Sequence, residues 1–313
     1  MAKDNKIIFL GTPNFAVPSL QALIDNNFKP FLVITQPDRP VGRKQELVAP
    51  PVKVLAQENG IPVIQPENKR ELEKFFKDNN CEVAILVAYG MLITAETLEL
   101  PKWGFLNIHP SLLPKYRGSS PLQTALLNGD TQSGVSIIKL TYGIDAGPIV
   151  GSKKFEISQN DNAETLHDKA AKLGAELLIE LLPSYLAGQI EARVQDDSQA
   201  TYTRIISRED GLINWQRSAE EIARQFKAFT PWPGVFSQLT NKRLKIVNLS
   251  VLEGDFRADI IPGTLFLGPN KQLCAKCGQG AIVLDTVQLE GKQQLSGTEF
   301  LRGQQELVGK VLD

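Results

Sequence analysis

The sequence predicts a doubly wound α/β domain with a mostly parallel sheet, followed by a small C-terminal β-barrel. Three observations carry this. In the first part of the chain, short continuous apolar runs alternate with helix-period segments, the pattern of a parallel sheet buried on both faces. A polar stretch beginning near residue 190 breaks the pattern. Beyond it the apolar runs are short and punctuated by glycines, as in tightly turned strands closing on themselves. A chain of 313 residues has room for two cores. The expected layout is a first domain over 1–189, a linker over 190–207 and a second domain over 208–313.

Residues 7–10 (IIFL) read as the first buried strand, ending at Gly11-Thr12-Pro13, and 15–24 as a helix with Pro18 in its first turn. Gly11 stands alone where a dinucleotide fingerprint needs three glycines, so a tight turn is preferred to a nicotinamide site. Residues 31–34 and part of 81–88 form further strands, separated by helices over 52–59 and 69–80. The segment 36–51 reads as a long loop holding Arg39, Arg43 and Lys44. Long loops in compact domains tend to be functional, although a solvated charged loop has the same composition.

Phe105, Leu106 and Ile108 mark a buried strand, and Asn107 and His109, two apart, emerge on one side of it. Pro110 has no N–H to offer a neighbouring strand, so pairing stops there and a proline loop follows. In a parallel sheet Gly11, Thr35 and His109 all fall at strand carboxyl ends, where such folds bind ligands. A helix over 121–127 and a strand over 135–140 lead to Gly143-Ile144-Asp145-Ala146-Gly147-Pro148, a glycine-bracketed turn presenting one carboxylate. A strand over 149–157 precedes a helix that opens on an Asp161/Glu164 capping box, carries His167 on its surface and ends near Gly188. The second domain should contain a helix over 219–228 and strands within 244–252 and 281–287.

Composition narrows the function. With 34 basic and 35 acidic residues, bulk charge cannot hold the chain to a polyanion, and any basic surface must be local. Three cysteines suit a reducing compartment without disulfides. Cys274-Ala275-Lys276-Cys277 has zinc-knuckle spacing but lacks a second pair, so an incidental pair in a hairpin is expected rather than a metal. The polar start, a short first apolar run and the lack of a membrane-length apolar segment imply a soluble, cytoplasmic protein.

An asparagine, a histidine and an aspartate in one cleft suit acyl transfer: a donor for an oxyanion, an imidazole to handle a proton and a carboxylate to orient it. No serine or cysteine nucleophile is needed if the substrate brings its own amine. Singly, each has a structural explanation, in a core hydrogen bond, a cap or a turn. Together they point to a site.

Asn107-Ile108-His109 with Ser111-Leu112-Leu113-Pro114-Lys115-Tyr116-Arg117-Gly118, and Asp145 within its turn, resemble the motifs of the methionyl-tRNA formyltransferases, within the folate-dependent formyltransferases. The stretches 9–18, 36–43, 50–53 and 229–234 are similar to that family as well, so the resemblance covers nearly the whole chain. It implies a Rossmann-like formyltransferase domain, an OB-like C-terminal barrel that binds tRNA, and transfer of a formyl group from 10-formyltetrahydrofolate to initiator methionyl-tRNA. The catalytic groups it implies are Asn107, His109 and Asp145, with Ser111, Leu112, Leu113 and Pro114 lining the folate site. Arg39, Arg43 and Lys44 would meet the tRNA, Arg43 foremost because its planar fork can hold a phosphate or base edge. Glu46 departs from the more basic loop the family leads one to expect. No metal and no obligate protein partner are implied. The alternatives are a formyltransferase acting on an amino sugar nucleotide, a hydrolase releasing formate and a noncatalytic tRNA-binding protein.

Overall fold

The apolar run at the start of the chain becomes β1 (Ile7–Gly11), whose residues from Ile7 to Leu10 are fully buried. Each such Ile or Leu contributes about 1.5–3 kcal/mol by leaving water, which makes this run an anchor for the sheet. The computed structural model describes residues 6–42, 45–252, 254 and 260–313. The chain divides into two compact units: Met1–Pro121, Gln132–Ile157 and Leu166–Thr203 in the first, and Leu122–Thr131, Ser158–Thr165 and Arg204–Asp313 in the second.

The first unit continues through α1 (Val17–Asp25), β2 (Leu32–Ile34), β3 (Arg39–Val41), β4 (Glu46–Val48), α2 (Pro51–Glu58), β5 (Val63–Ile64), α3 (Lys69–Asp78) and β6 (Val83–Val87). It goes on through α4 (Ala95–Leu98), β7 (Phe105–His109), β8 (Arg117–Gly118), β9 (Gln132–Lys139), β10 (Ile149–Glu156), α6 (Ala163–Leu186) and β11 (Tyr202–Thr203), while α5 (Pro121–Asn128), between β8 and β9, falls in the second unit after its first residue. The main sheet has the order β10-β9-β7-β6-β1-β2-β5. It is parallel from β5 to β7, and β9 and β10 then run antiparallel. The strand order reverses between β1 and β6, and the pairings Gly11 with Val87 and Leu86 with Asn107 bring the carboxyl ends of β1, β6 and β7 to one edge. One face of the sheet packs Ile8, Leu10, Leu32, Ile34 and Phe105 against Leu72 and Phe76 of α3. Prolines at the starts of α1 and α2, where an N–H would be idle, fix where those helices begin.

Two local expectations are corrected. The segment 36–51 contains a hairpin, with Arg39 opposite Val48 and Val41 opposite Glu46. Its strands are three residues each and β4 is exposed throughout, so it leaves no apolar alternation to read. The N-terminus of α6 is capped one residue later than expected: Thr165 N donates to Asn162 Oδ1 and Asn162 N donates to Thr165 Oγ1, both at 3.0 Å. Asp161 instead accepts from Ser158 N, closing the preceding turn. His167 is half-buried, its ring edge-on to Phe15 at 4.8 Å, and burial first of all pushes its pKa below the ordinary value.

In the second unit α7 (Ala219–Phe229) opens on a Ser218/Glu221 capping box. It is followed by β12 (Val235–Leu239), β13 (Lys242–Leu252), β14 (Leu265–Leu267), β15 (Leu273–Lys276), β16 (Ala281–Leu289), β17 (Gln294–Ser296) and α8 (Gly297–Arg302). The antiparallel order is β12-β13-β16-β15-β14, with β17 on β16. The last residues join its two edges: Asp313 and Gln238 exchange backbone hydrogen bonds at 2.8 and 3.1 Å, while Leu312 N donates to Gly263 O and Leu265 N to Lys310 O. This closure makes the curled sheet a small barrel. Cys274 and Cys277 are buried in it, their thiols donating to the carbonyls of Gln272 and Ala275, and burial pushes their pKa values up to about 11 and about 12. Thiols held in that form are poor ligands and poor nucleophiles.

Candidate active site

β7 supplies the first two groups. Its alternation sends Asn107 and His109 to one side of the sheet, 8% and 4% exposed. The Asn107 carboxamide has no hydrogen-bond partner among the described residues and keeps some exposure, so its N–H groups are available to an incoming molecule. The His109 ring does have one: Nε2 lies 2.9 Å from the carbonyl of Tyr116. A carbonyl only accepts, so Nε2 carries the proton and Nδ1 is the nitrogen free to exchange one. Nδ1 faces Asp145 Oδ2 at 3.6 Å, close enough for charge stabilisation but too long for a hydrogen bond.

Asp145 is held by groups that the sequence did not single out. Gly118 N donates to its Oδ2 at 2.8 Å, so one oxygen is fixed between that amide and the imidazole. The Asp145 backbone lies at φ +47°, a left-handed conformation that a non-glycine residue keeps only when its surroundings impose it. Gln195 Nε2 bridges this turn, donating to the carbonyls of Asp145 and Gly147, each at 2.7 Å. The other end of Gln195 accepts from Arg117 Nε and Nη2 at 3.1 and 2.9 Å. Arg117 is 1% exposed and also reaches Asp197 Oδ1 at 2.7 Å and the Tyr202 hydroxyl at 3.2 Å. Burial works against its charge, but Asp197 and Tyr202 outweigh it and the guanidinium pKa lies above its ordinary value.

Residues 193–203, expected as part of a linker, are therefore part of the first unit. Arg193 pairs with Ile149, Tyr202 with Arg117 and Thr203 with Gly118. The composition of 190–207 is polar because the segment lies at the surface and spends its buried polar groups, Gln195 above all, on backbone partners. Gly147 must approach closely here: a Cβ on it would lie 1.8 Å from Lys139 O. Gly147→Ala is expected to lower the unfolding midpoint of the first unit, at a cost of about 3 kcal/mol or more from overpacking against fixed backbone. An unchanged thermal unfolding curve would contradict this.

The proline loop is rigid and turned inward. Ser111 is fully buried, donating from Oγ to Lys115 O at 2.7 Å, and its own carbonyl accepts from Ser136 Oγ at 2.8 Å. Leu113 N donates to the same Ser136, and the Leu113 side chain packs with Ile138 and Ile149. Leu112 and Pro114 stay half-buried. Only these two side chains of the four can face a ligand, and the loop otherwise offers backbone. Arg39 is exposed at the start of β3. The base of that hairpin is anchored by Lys53, which donates to both oxygens of Asp38 at 2.8 Å and to Gln65 at 2.9 Å. Those contacts hold the Asp38 carboxyl below its ordinary pKa, Lys53 first and Gln65 second. Arg43 and Lys44 lie outside the described residues.

Residues 5–182 match the model of the formyl transferase family, and 205–305 match that of the formyl transferase C-terminal domain. The chain belongs to the formyl transferase family. It is 38% identical over 299 residues to the methionyl-tRNA formyltransferase of Geobacter metallireducens, covering 95% of each chain. To that of Herpetosiphon aurantiacus it is 42% identical over 304 residues, covering 96% of this chain and 99% of the relative. Among solved structures, an N-formyltransferase from Helicobacter canadensis in complex with folinic acid and dTDP-3-aminofucose superposes with a TM-score of 0.67 at 24% identity. That match covers 89% of this chain and 98% of the other, and it shows the shared fold. No described helix is long and apolar enough to cross a membrane.

Proposed function

We propose that this formyl transferase moves the formyl group of 10-formyltetrahydrofolate to the α-amino group of initiator methionyl-tRNA. The observation that carries the chemistry is a carboxamide without a partner among the described residues and a tautomer-fixed imidazole on one strand, with a carboxylate 3.6 Å from the second imidazole nitrogen. The amine attacks the formyl carbon, a new C–N bond forms and the carbonyl oxygen becomes an oxyanion. Asn107 donates to that oxygen. His109 takes the proton of the attacking nitrogen at Nδ1, where Asp145 stabilises the imidazolium, and returns it to N10 of the folate as the C–N10 bond breaks. Nε2–H stays on Tyr116 throughout, so the ring does not turn.

The loop Ser111, Leu112, Leu113, Pro114 would receive the folate mainly through backbone and through the faces of Leu112 and Pro114. A tRNA acceptor is favoured by identities of 38–42% over nearly the full length of methionyl-tRNA formyltransferases, against 24% or less for the solved sugar N-formyltransferases. The hairpin carrying Arg39, with Arg43 and Lys44 in the same segment, is the proposed tRNA contact. Arg43→Ala is expected to lower kcat/KM for charged initiator tRNA about 10-fold or more, the loss of a bidentate arginine contact. An unchanged kcat/KM would remove Arg43 from the interface. The acceptor itself is tested by offering labelled formyl donor with methionyl-tRNA or with an amino sugar nucleotide. Label on the sugar would overturn the reading.

A further inference from the structure

We infer that Gln195, locked by the buried Arg117, is a positioning residue whose role in catalysis is to hold the Asp145 turn in its left-handed conformation. Gln195 stands 50 residues from Asp145 in sequence, yet its carboxamide meets three partners. Nε2 bridges the carbonyls on either side of Ala146, and Oε1 takes two N–H groups of one guanidinium. Every polar atom of the carboxamide is thus spent, and its orientation is unambiguous, because Arg117 can only donate and the two carbonyls can only accept. Reversing the amide would set four groups, two N–H donors and two carbonyls, against like partners.

The consequence falls on one oxygen. Asp145 adopts φ +47°, and its Oδ2 meets both Gly118 N at 2.8 Å and His109 Nδ1 at 3.6 Å. Freed of Gln195, the turn can relax toward the ordinary region of backbone space and carry the carboxylate away from the imidazole. Arg117 serves both ends of this arrangement. Its side chain fixes Gln195, while its backbone pairs with β11 and leads directly into Gly118, the amide donor to Asp145. The 193–203 segment therefore works as a brace, with Asp197 and Tyr202 holding the outer guanidinium nitrogens.

This rests on the reading of Asp145 as a group of the reaction, and the test separates the two. Gln195→Met keeps length and removes all four hydrogen bonds. Gln195→Glu keeps an acceptor for Arg117 but sets carboxylate oxygen against the two carbonyls. At pH 8 both are expected to lower kcat about 10- to 100-fold, the scale of a misplaced reacting group, with KM for methionyl-tRNA and for the folate little changed. In an Asp145→Asn background, Gln195→Glu is expected to add no further loss, because its effect runs through the carboxylate. Hydrogen exchange at the Gly118 amide should speed up in both single variants. Wild-type kcat in a folded Gln195→Glu protein, or full additivity with Asp145→Asn, would overturn the proposal. Faster Gly118 exchange in a protein whose wild type formylates no methionyl-tRNA would leave the brace standing and refute the substrate instead.

Discussion

Asp145→Asn is expected to lower kcat about 10²–10⁴-fold while folate binding and fold survive, the range spanned by removal of a proton-handling partner. The asparagine can keep its oxygen in the place of Oδ2, still accepting from Gly118 N and lying beside His109 Nδ1, so the geometry at 2.8 and 3.6 Å is retained. What disappears is the charge. With Nε2–H committed to the Tyr116 carbonyl, Nδ1 must take the proton of the attacking amine, and a neutral amide beside it no longer stabilises the imidazolium that forms. Single-turnover formation of formyl-methionyl-tRNA measures this, and a rate within a few-fold of wild type would show that Asp145 is merely the holder of its own turn.

Asn107→Ala removes the carboxamide that has no hydrogen-bond partner among the described residues. Loss of one oxyanion donor costs roughly 10²–10³ in kcat. The stability effect should be small by comparison, since no described hydrogen bond is broken and the change leaves the β7 pairing with β6 and β9 intact. A variant with lowered kcat, unaltered KM and a near wild-type unfolding midpoint is the expected result. A large fall in stability with little change in kcat would place Asn107 among the structural residues.

These two residues and His109 were legible in the sequence because a strand converts spacing directly into direction. Asn107 and His109 two apart share a face whatever else the chain does, and the fully apolar 7–10 run needs no partner to be read as a central strand. Asp145 was visible through its flanking glycines. The brace around it was not. Gln195 meets Arg117, Asp145 and Gly147 from 78, 50 and 48 residues away, and a polar residue spent on distant backbone has the same local surroundings as one spent on water. For the same reason 190–207 resembled a linker.

The proline loop was read as a ligand site, yet Ser111 and Leu113 spend their side chains on the protein. A sequence motif identifies a rigid loop without telling which atoms face outward. The barrel shows the complementary case. Its strands followed from short apolar runs and frequent turns, whereas its closure depends on residues 309–313, whose backbone pairs with Gly263, Leu265 and Gln238 without an apolar alternation to announce it.

In the proposed reaction the amine of methionyl-tRNA attacks the formyl carbon directly, with no formylated protein on the way. The chain's own candidate nucleophiles are spent or buried: Ser111 Oγ, two residues from His109, is buried and donates to Lys115 O, and the thiols of Cys81, Cys274 and Cys277 are buried. Wild-type protein incubated with labelled 10-formyltetrahydrofolate and quenched should hold no label on the chain, and label should appear on the α-amino group only when methionyl-tRNA is added. Stoichiometric protein-bound formyl that chases into formyl-methionyl-tRNA would contradict the account.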